Sequence, residues 1–305
     1  MGKMFENCNL LKEVTLGENW KWIGTDSYLP TPDSTYIEGA DGNWYDTSGT
    51  AYAPSTIPSN TAMTYYASKN LVPTIEKKAF AVYSADDQSL NFYKRTTVPN
   101  AGETFEGKTA TAVYTGIEST NYNIQWKNNS IVSSTAIDTG IAPISMGYWF
   151  SNQENLKTLD FKKIDTSQVT DMGCMFYGCF KLTSLDVSNF DTSQVTNMAG
   201  MFARCSSLSN LNVSNFDTSL VTNMAYIFSG CQVLQKIKLG DKWNWVGTDG
   251  YLPTPNRQYI EGANRAWFDT SGTAYAPSNI PSNTAMTYYA SKNLVPVIEK
   301  TAFAV

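Results

Sequence analysis

The chain of 305 residues contains no histidine. That absence removes the usual general base, the commonest metal ligand and every histidine-containing catalytic triad. Charge is also scarce: Asp, Glu, Lys and Arg make up 16% of the chain and sum to a net −5. A nucleic-acid binder needs a basic stripe to displace counterions from phosphates, and none is present. No apolar run approaches the roughly 20 residues that a membrane-spanning helix needs. Met1 to Phe5 lacks the apolar core of a signal peptide. Cysteine is sparse and odd in number (Cys8, Cys174, Cys179, Cys205 and Cys231), and its spacing follows a repeat, so a disulfide framework is a poor reading.

The dominant positive feature is a 26-residue period between Trp149 and Leu239. Met175-Phe176, Met201-Phe202 and Ile227-Phe228 are followed by Cys179, Cys205 and Cys231. Leu182, Leu208 and Leu234 come next, then Leu185, Leu211 and Ile237, then Val187, Val213 and Leu239. A fixed period of this size signals stacked supersecondary units. The Leu-x-x-Leu-x-Val spacing puts Leu185 and Val187 on the inner face of a strand, with Ser184, Asp186 and Ser188 facing out. Asp191-Thr192-Ser193 suits a helix start, and Val195, Met198, Met201 and Phe202 have a helical period. One turn is therefore expected to be a strand, a corner, a short helix and a return, with parallel strands stacked at about 4.8 Å.

A larger repeat encloses the smaller one. Residues 16–82 return at 239–305, shifted by 223, with about 52 of the 67 aligned positions identical. Phe5, Cys8 and Leu11 match Phe228, Cys231 and Leu234, so the chain opens inside a repeat and reads as a segment of a longer protein. The expected layout is the end of a repeat array (1–16), an aromatic β-rich module (17–82), a β-rich cap (83–148), the repeat region (149–239) and a second aromatic module (240–305). In the module, Trp20 and Trp22 alternate as if on one strand face. Tyr36-Ile37-Glu38-Gly39, Trp44-Tyr45-Asp46 and Thr61 to Ala67 also read as strands. In the cap, Ser89 to Lys94 and Thr109 to Tyr114 alternate as strands. The fold class expected is an α/β repeat solenoid with parallel strands and short helices, flanked by β-rich capping modules.

The stretches MFYGCFKLTSLDVSNFDTSQVTNM and MFARCSSLSNLNVSNFDTSLVTNM resemble the 26-residue surface-protein version of the BspA-like leucine-rich repeats. The likeness covers 149–239 and 1–16. The first turn departs from it, with Trp149-Phe150 for Met-Phe and Gln153 in the cysteine place. The resemblance implies a secreted or cell-surface bacterial protein linked to adhesion. It transfers no ligand residue.

Several columns could carry chemistry, and each also has an ordinary structural explanation. Zinc needs ligands converging on one point, whereas the cysteine column spreads them one per turn, so the thiols read as small core hydrophobes. Cys174 stands in a different column and is the thiol to test for exposure. The column Asp165, Asp191, Asp217 could attract calcium, but capping explains it, and Asp171, Asn197 and Asn223 suit backbone bonds in the corners. No metal or other cofactor is expected. The exposed strand face offers a ligand surface made of Asp160, Lys162, Ser184, Asp186, Ser188, Asn210, Asn212, Ser214, Lys236 and Lys238. The aromatic modules offer a second: Trp20, Trp22, Trp44 and Tyr45, with their copies Trp243, Trp245, Trp267 and Phe268, could be sugar platforms or simply core.

The leading expectation is a non-enzymatic cell-surface adhesion or protein-interaction module. Its partners would be host extracellular-matrix proteins, other surface proteins, or glycans, and not nucleic acid. The alternatives are a structural stalk with no ligand of its own, and a carbohydrate-active or cell-wall-binding protein.

Overall fold

The computed structural model describes residues 4–23, 28–73, 76–119 and 125–296. The chain divides into two compact units, Met1–Glu76 and Lys77–Val305.

The first unit is a four-stranded antiparallel sheet. Its strands are β1 (Glu13–Leu16), β2 (Trp44–Asp46), β3 (Ala51–Tyr52) and β4 (Met63–Tyr66), in the order β1-β4-β2-β3. Trp44 and Tyr65 point inward and pack with Leu16, Leu29, Ile37 and Ile57. The β2–β3 hairpin is closed by Asp46, whose carboxylate accepts from the amides of Ser48 (2.8 Å) and Thr50 (2.9 Å) and from the Tyr52 hydroxyl (3.2 Å). Gly49 supplies the left-handed backbone that the turn needs (φ +82°). The segment Tyr36 to Gly39 is not a strand: the amides of Tyr36 and Ile37 both turn back onto the Asp33 carbonyl. Trp20 and Trp22 also lie outside any strand, in a turn where the Trp20 amide reaches the Gly17 carbonyl.

The second unit opens with the long hairpin β5 (Lys78–Ser84) and β6 (Ser89–Arg95). It continues through β7 (Thr104–Phe105), β8 (Lys108–Thr109), β9 (Ala112–Thr115), β10 (Ser133–Ala136) and β11 (Thr158–Asp160). The sheet order is β11-β10-β6-β5-β9, antiparallel around β5 and parallel from β6 through β10 to β11. Both faces of the hairpin are apolar. Phe80, Val82 and Tyr93 form one small core, while Ala81, Tyr83, Leu90 and Phe92 join the main one. The hairpin thus converts an antiparallel sheet into a parallel edge on which the 26-residue units begin. Phe92 stacks on Trp149 at 5.1 Å, and Gln153 accepts the Ile131 amide at 3.0 Å, which explains why the first turn departs from the repeat.

In the repeat region the structure corrects the expected architecture. The described residues contain no α-helix, and the fold is mostly β-sheet, not an α/β repeat solenoid. The segment from Val195 to Phe202 has a helical period of apolar residues without being a helix. Two columns of left-handed residues interrupt it: Tyr148, Cys174, Gly200 and Tyr226 (φ +53° to +63°), and four residues later Asn152, Gly178, Arg204 and Gly230 (φ +60° to +78°). A right-handed helix cannot pass such residues. Instead the amides alternate. Those of Met201, Ala203 and Cys205 bond three residues back, to Met198, Gly200 and Phe202. Those of Gly200, Phe202 and Arg204 bond to Ala225, Ile227 and Ser229, one unit on, at 2.7–3.0 Å. Every second hydrogen bond therefore joins neighbouring units, which satisfies buried backbone without a helix.

Side chains reinforce the stacking. Phe150, Phe176, Phe202 and Phe228 lie nearly parallel, with centroids 5.7–6.0 Å apart. All four are fully buried, as are Met172, Met198, Leu182 and Leu208. The expected continuous parallel sheet is also corrected. It is interrupted at Ser184 to Val187, which join no ladder. Pairing resumes at β12 (Asn210–Val213) and β13 (Lys236–Leu239), which are parallel to each other. They continue antiparallel into the second aromatic module, through β14 (Trp267–Phe268), β15 (Ala274–Tyr275) and β16 (Met286–Tyr289), in the order β12-β13-β16-β14-β15.

Candidate functional site

Strands β12 and β13 alternate exposed and buried residues, so Leu211, Val213, Ile237 and Leu239 enter the core and Asn210, Asn212, Lys236 and Lys238 face out. The parallel register sets Asn210 beside Lys236 and Asn212 beside Lys238. On the other side of β13, Lys236 faces Tyr289 and Lys238 faces Thr287. The Lys236 ammonium lies 5.8 Å from the centre of the Tyr289 ring. Among the described residues, neither lysine has a carboxylate within ion-pair distance.

Ser184 and Asp186 are exposed and lie on the near side of β12. With Asn210, Asn212, Lys236 and Lys238 they line an open depression of about 430 Å³, floored by Leu185 and Leu211. Its two ends differ in sign. Asp186 accepts from the Ser188 hydroxyl (2.6 Å) and amide (3.1 Å), which hold its carboxyl below the usual range, and Lys162 adds an ion pair at 3.7 Å. The opposite end carries the two lysines. Asp160 and Lys162 are exposed beyond the depression, as is Ser188, and Ser214 is half-buried. Asp160, Asp186 and Asn212 also shape the backbone. Each accepts the amide two residues on, at 3.1–3.2 Å, which closes a tight turn there.

The aromatic candidates are placed differently. Trp44, Trp243 and Trp267 have no exposed surface, and Tyr45 and Phe268 are buried. The indole N–H of Trp44 donates to the Pro30 carbonyl at 2.8 Å and that of Trp267 to Pro253 at 2.9 Å, pinning a loop in each module. Trp20, Trp22 and Trp245 are half-buried, and the pairs Trp20–Trp22 and Trp243–Trp245 meet edge to face at 5.3 and 5.2 Å. A ring with no accessible face cannot stack on a sugar, so Trp44, Trp243 and Trp267 serve the core, whereas Trp20, Trp22 and Trp245 keep part of their surface exposed.

The cysteine column is internal. The thiols of Cys179, Cys205 and Cys231 donate to the carbonyls of Phe150, Phe176 and Phe202 at 3.0–3.2 Å. Burial pushes Cys179 and Cys231 up to about 12 and raises Cys205 well above its ordinary value. Such thiols are poor nucleophiles. Cys8 is half-buried, as is Cys174, whose sulfur lies over Gly200 and is raised by burial. Asp165, Asp191 and Asp217 each accept the amide two residues on, at 2.9–3.0 Å. The Asp217 carboxylate also bonds Lys242. In the corner ladder, Asp171 accepts from the Gly173 amide and from the Asn197 side chain.

Two arrangements escape a reading by residue type. Buried Thr166 and Thr192 donate to the carbonyls of Asp191 and Asp217 and accept their amides at 2.7–2.8 Å, tying unit to unit. The second is a cleft of about 590 Å³ in the second aromatic module, lined by Thr254, Asn256, Arg257, Asn264 and Arg265 above Pro255 and Ala263. Its signal lies in how the two module copies differ, not in any motif.

With this geometry in place, comparison with known proteins bears on the repeat region. The family described as "Mycoplasma protein of unknown function, DUF285" matches residues 144–248. That match spans about a third of the chain. No leucine-rich-repeat or BspA family matches, so the resemblance to BspA-like leucine-rich repeats is corrected. No curated protein matches the chain, and no solved structure does. Among the described residues no helix is long and apolar enough to cross a membrane.

Proposed function

We propose that the chain is a non-catalytic interaction module, displayed outside a bacterial cell, that captures protein partners on the exposed face running from Ser184 to Lys238. The observation that carries this reading is the open depression with Asp186 at one end and, at the other, Lys236 and Lys238, which have no carboxylate within ion-pair distance among the described residues. A face with both signs of charge sets the orientation of a partner and raises its rate of encounter. Short polar side chains between the ends leave the surface accessible to a protruding segment. Behind the face lies a core of stacked phenylalanines, so the ligand-facing residues are held on a firm support. Host extracellular-matrix and other surface proteins are the partner class proposed.

The test is capture of the purified chain on immobilised collagen, fibronectin and laminin, read by surface plasmon resonance. Micromolar capture by one of them is expected, weakened about tenfold in the Lys236→Glu/Lys238→Glu double variant. Lys181→Glu, which lies outside the depression, should leave it unchanged. Capture of none, or equal capture by the double variant, would overturn the reading in favour of a spacer or a different surface.

A further inference from the structure

The two aromatic modules differ at 15 of 67 aligned positions, and seven of these fall between Asp33 and Tyr45. The differences there change charge while keeping the backbone. In the first module Asp33 accepts the Thr35 amide at 2.7 Å and Asp41 the Asn43 amide at 3.1 Å. In the second, Asn256 and Asn264 make the same bonds to Gln258 and Ala266 at 2.9 and 3.3 Å. Asparagine closes the turn as aspartate does, without its charge. Beside them, Ser34 is replaced by Arg257 and Gly42 by Arg265. Two carboxylates are thus lost and two guanidinium groups gained around one loop pair. The acidic residue of that loop, Glu38 or Glu261, is common to both copies.

The second substitution falls on a position that suits glycine. Gly42 has φ +89°, and Arg265 keeps the left-handed backbone at φ +72°. A side chain on such a backbone is less favourable than glycine, so the exchange to arginine is not explained by backbone preference. Arg257 and Arg265 both line the 590 Å³ cleft. Its walls are held by the Arg257 guanidinium on the Ala263 carbonyl (3.0 Å), by Trp267 on Pro253 (2.9 Å), and by the Tyr259 and Ile260 amides on the Asn256 carbonyl.

From this we infer that the cleft between Arg257 and Arg265 is a binding site for an anionic saccharide, one bearing a carboxylate or sulfate group. Guanidinium groups match the planar fork of such oxyanions. The remaining polar lining, from Thr254, Asn256 and Asn264, offers hydroxyl and amide partners suited to sugar hydroxyls. The cleft has no large apolar side chain to anchor a peptide. This site does not depend on the strand face proposed above. It gives the second module a ligand chemistry that the first, with Asp33 and Asp41 in its place, would repel.

The test uses the whole chain titrated with glucuronic acid, glucose 6-sulfate, glucose and inorganic sulfate, followed by nuclear magnetic resonance shifts and calorimetry. The acidic sugars should bind, glucose should not, and inorganic sulfate should bind more weakly than glucose 6-sulfate. The double variant Arg257→Ser/Arg265→Gly installs the residues that the first module already folds with. It should keep the circular dichroism and melting of the parent and lose affinity for the acidic sugars about tenfold or more. Sulfate binding as tightly as glucose 6-sulfate would overturn the saccharide assignment. Undiminished binding by the double variant, or no binding of either acidic sugar, would overturn the site.

Discussion

Phe228 lies on Trp243, with ring centroids 6.0 Å apart and planes 23° apart. The contact joins the last phenylalanine of the 26-residue units to the first tryptophan of the second aromatic module, and both rings are fully buried. The module therefore continues the hydrophobic column. Phe228→Ala should remove a buried ring between Phe202 and Trp243 and cost about 3–5 kcal/mol. Leu220→Ala, at a half-exposed position, should change stability by less than about 0.5 kcal/mol. Chemical denaturation of the two variants checks both values.

The buried thiols predict a loss of stability in alkali. Cys179 and Cys231 are pushed up to about 12, so between about 9 and 12 their native state keeps protons that the unfolded chain releases, and Cys205 is raised in the same direction. Stability is then complete below pH 9 and falls as pH rises through that window, by about 1.4 kcal/mol per pH unit for each of Cys179 and Cys231. Replacing Cys179, Cys205 and Cys231 by alanine should flatten the slope. At pH 8 an aromatic disulfide reagent should label Cys8 and Cys174 in the native chain and the other three only after denaturant is added.

Much of this arrangement was legible in the sequence. The Cys and Phe columns follow directly from the period, as does the alternation in β12 and β13. The helix did not form because apolar spacing alone does not fix backbone handedness. Gly200 and Gly178 hint at left-handed positions, but Cys174, Tyr226, Asn152 and Arg204 share the same columns and hide the signal. The break at Ser184 to Val187 has no mark in the pattern, since these residues match the paired ones. The tryptophans read as core first and as platforms second, and depth places Trp44, Trp243 and Trp267 in the core.

Hydrogen exchange tests the break in the sheet. The amides of Ser184 to Val187, outside any ladder, should exchange at least about tenfold faster than those of β13, which is paired on both sides. Equal protection would mean that the sheet runs unbroken through the depression.

Equivalent glycines in the two modules should behave differently. A Cβ on Gly240 would lie 2.2 Å from the Ser214 carbonyl oxygen, whereas one on Gly17 meets nothing within 4 Å. Gly240→Ala should destabilise by about 1–3 kcal/mol, and Gly17→Ala should leave the melting point nearly unchanged. Thermal denaturation of the two single variants decides this.

The most direct test of the exposed face as an interface is to fill its depression. Asn212 is exposed at the centre of that face, between Asp186 and Lys238. The dissociation rate of the Asn212→Trp variant from the matrix protein that captures the parent chain is the quantity to measure. The account predicts an unchanged fold and dissociation at least about tenfold faster than the parent. A variant that folds, binds and dissociates like the parent would contradict it.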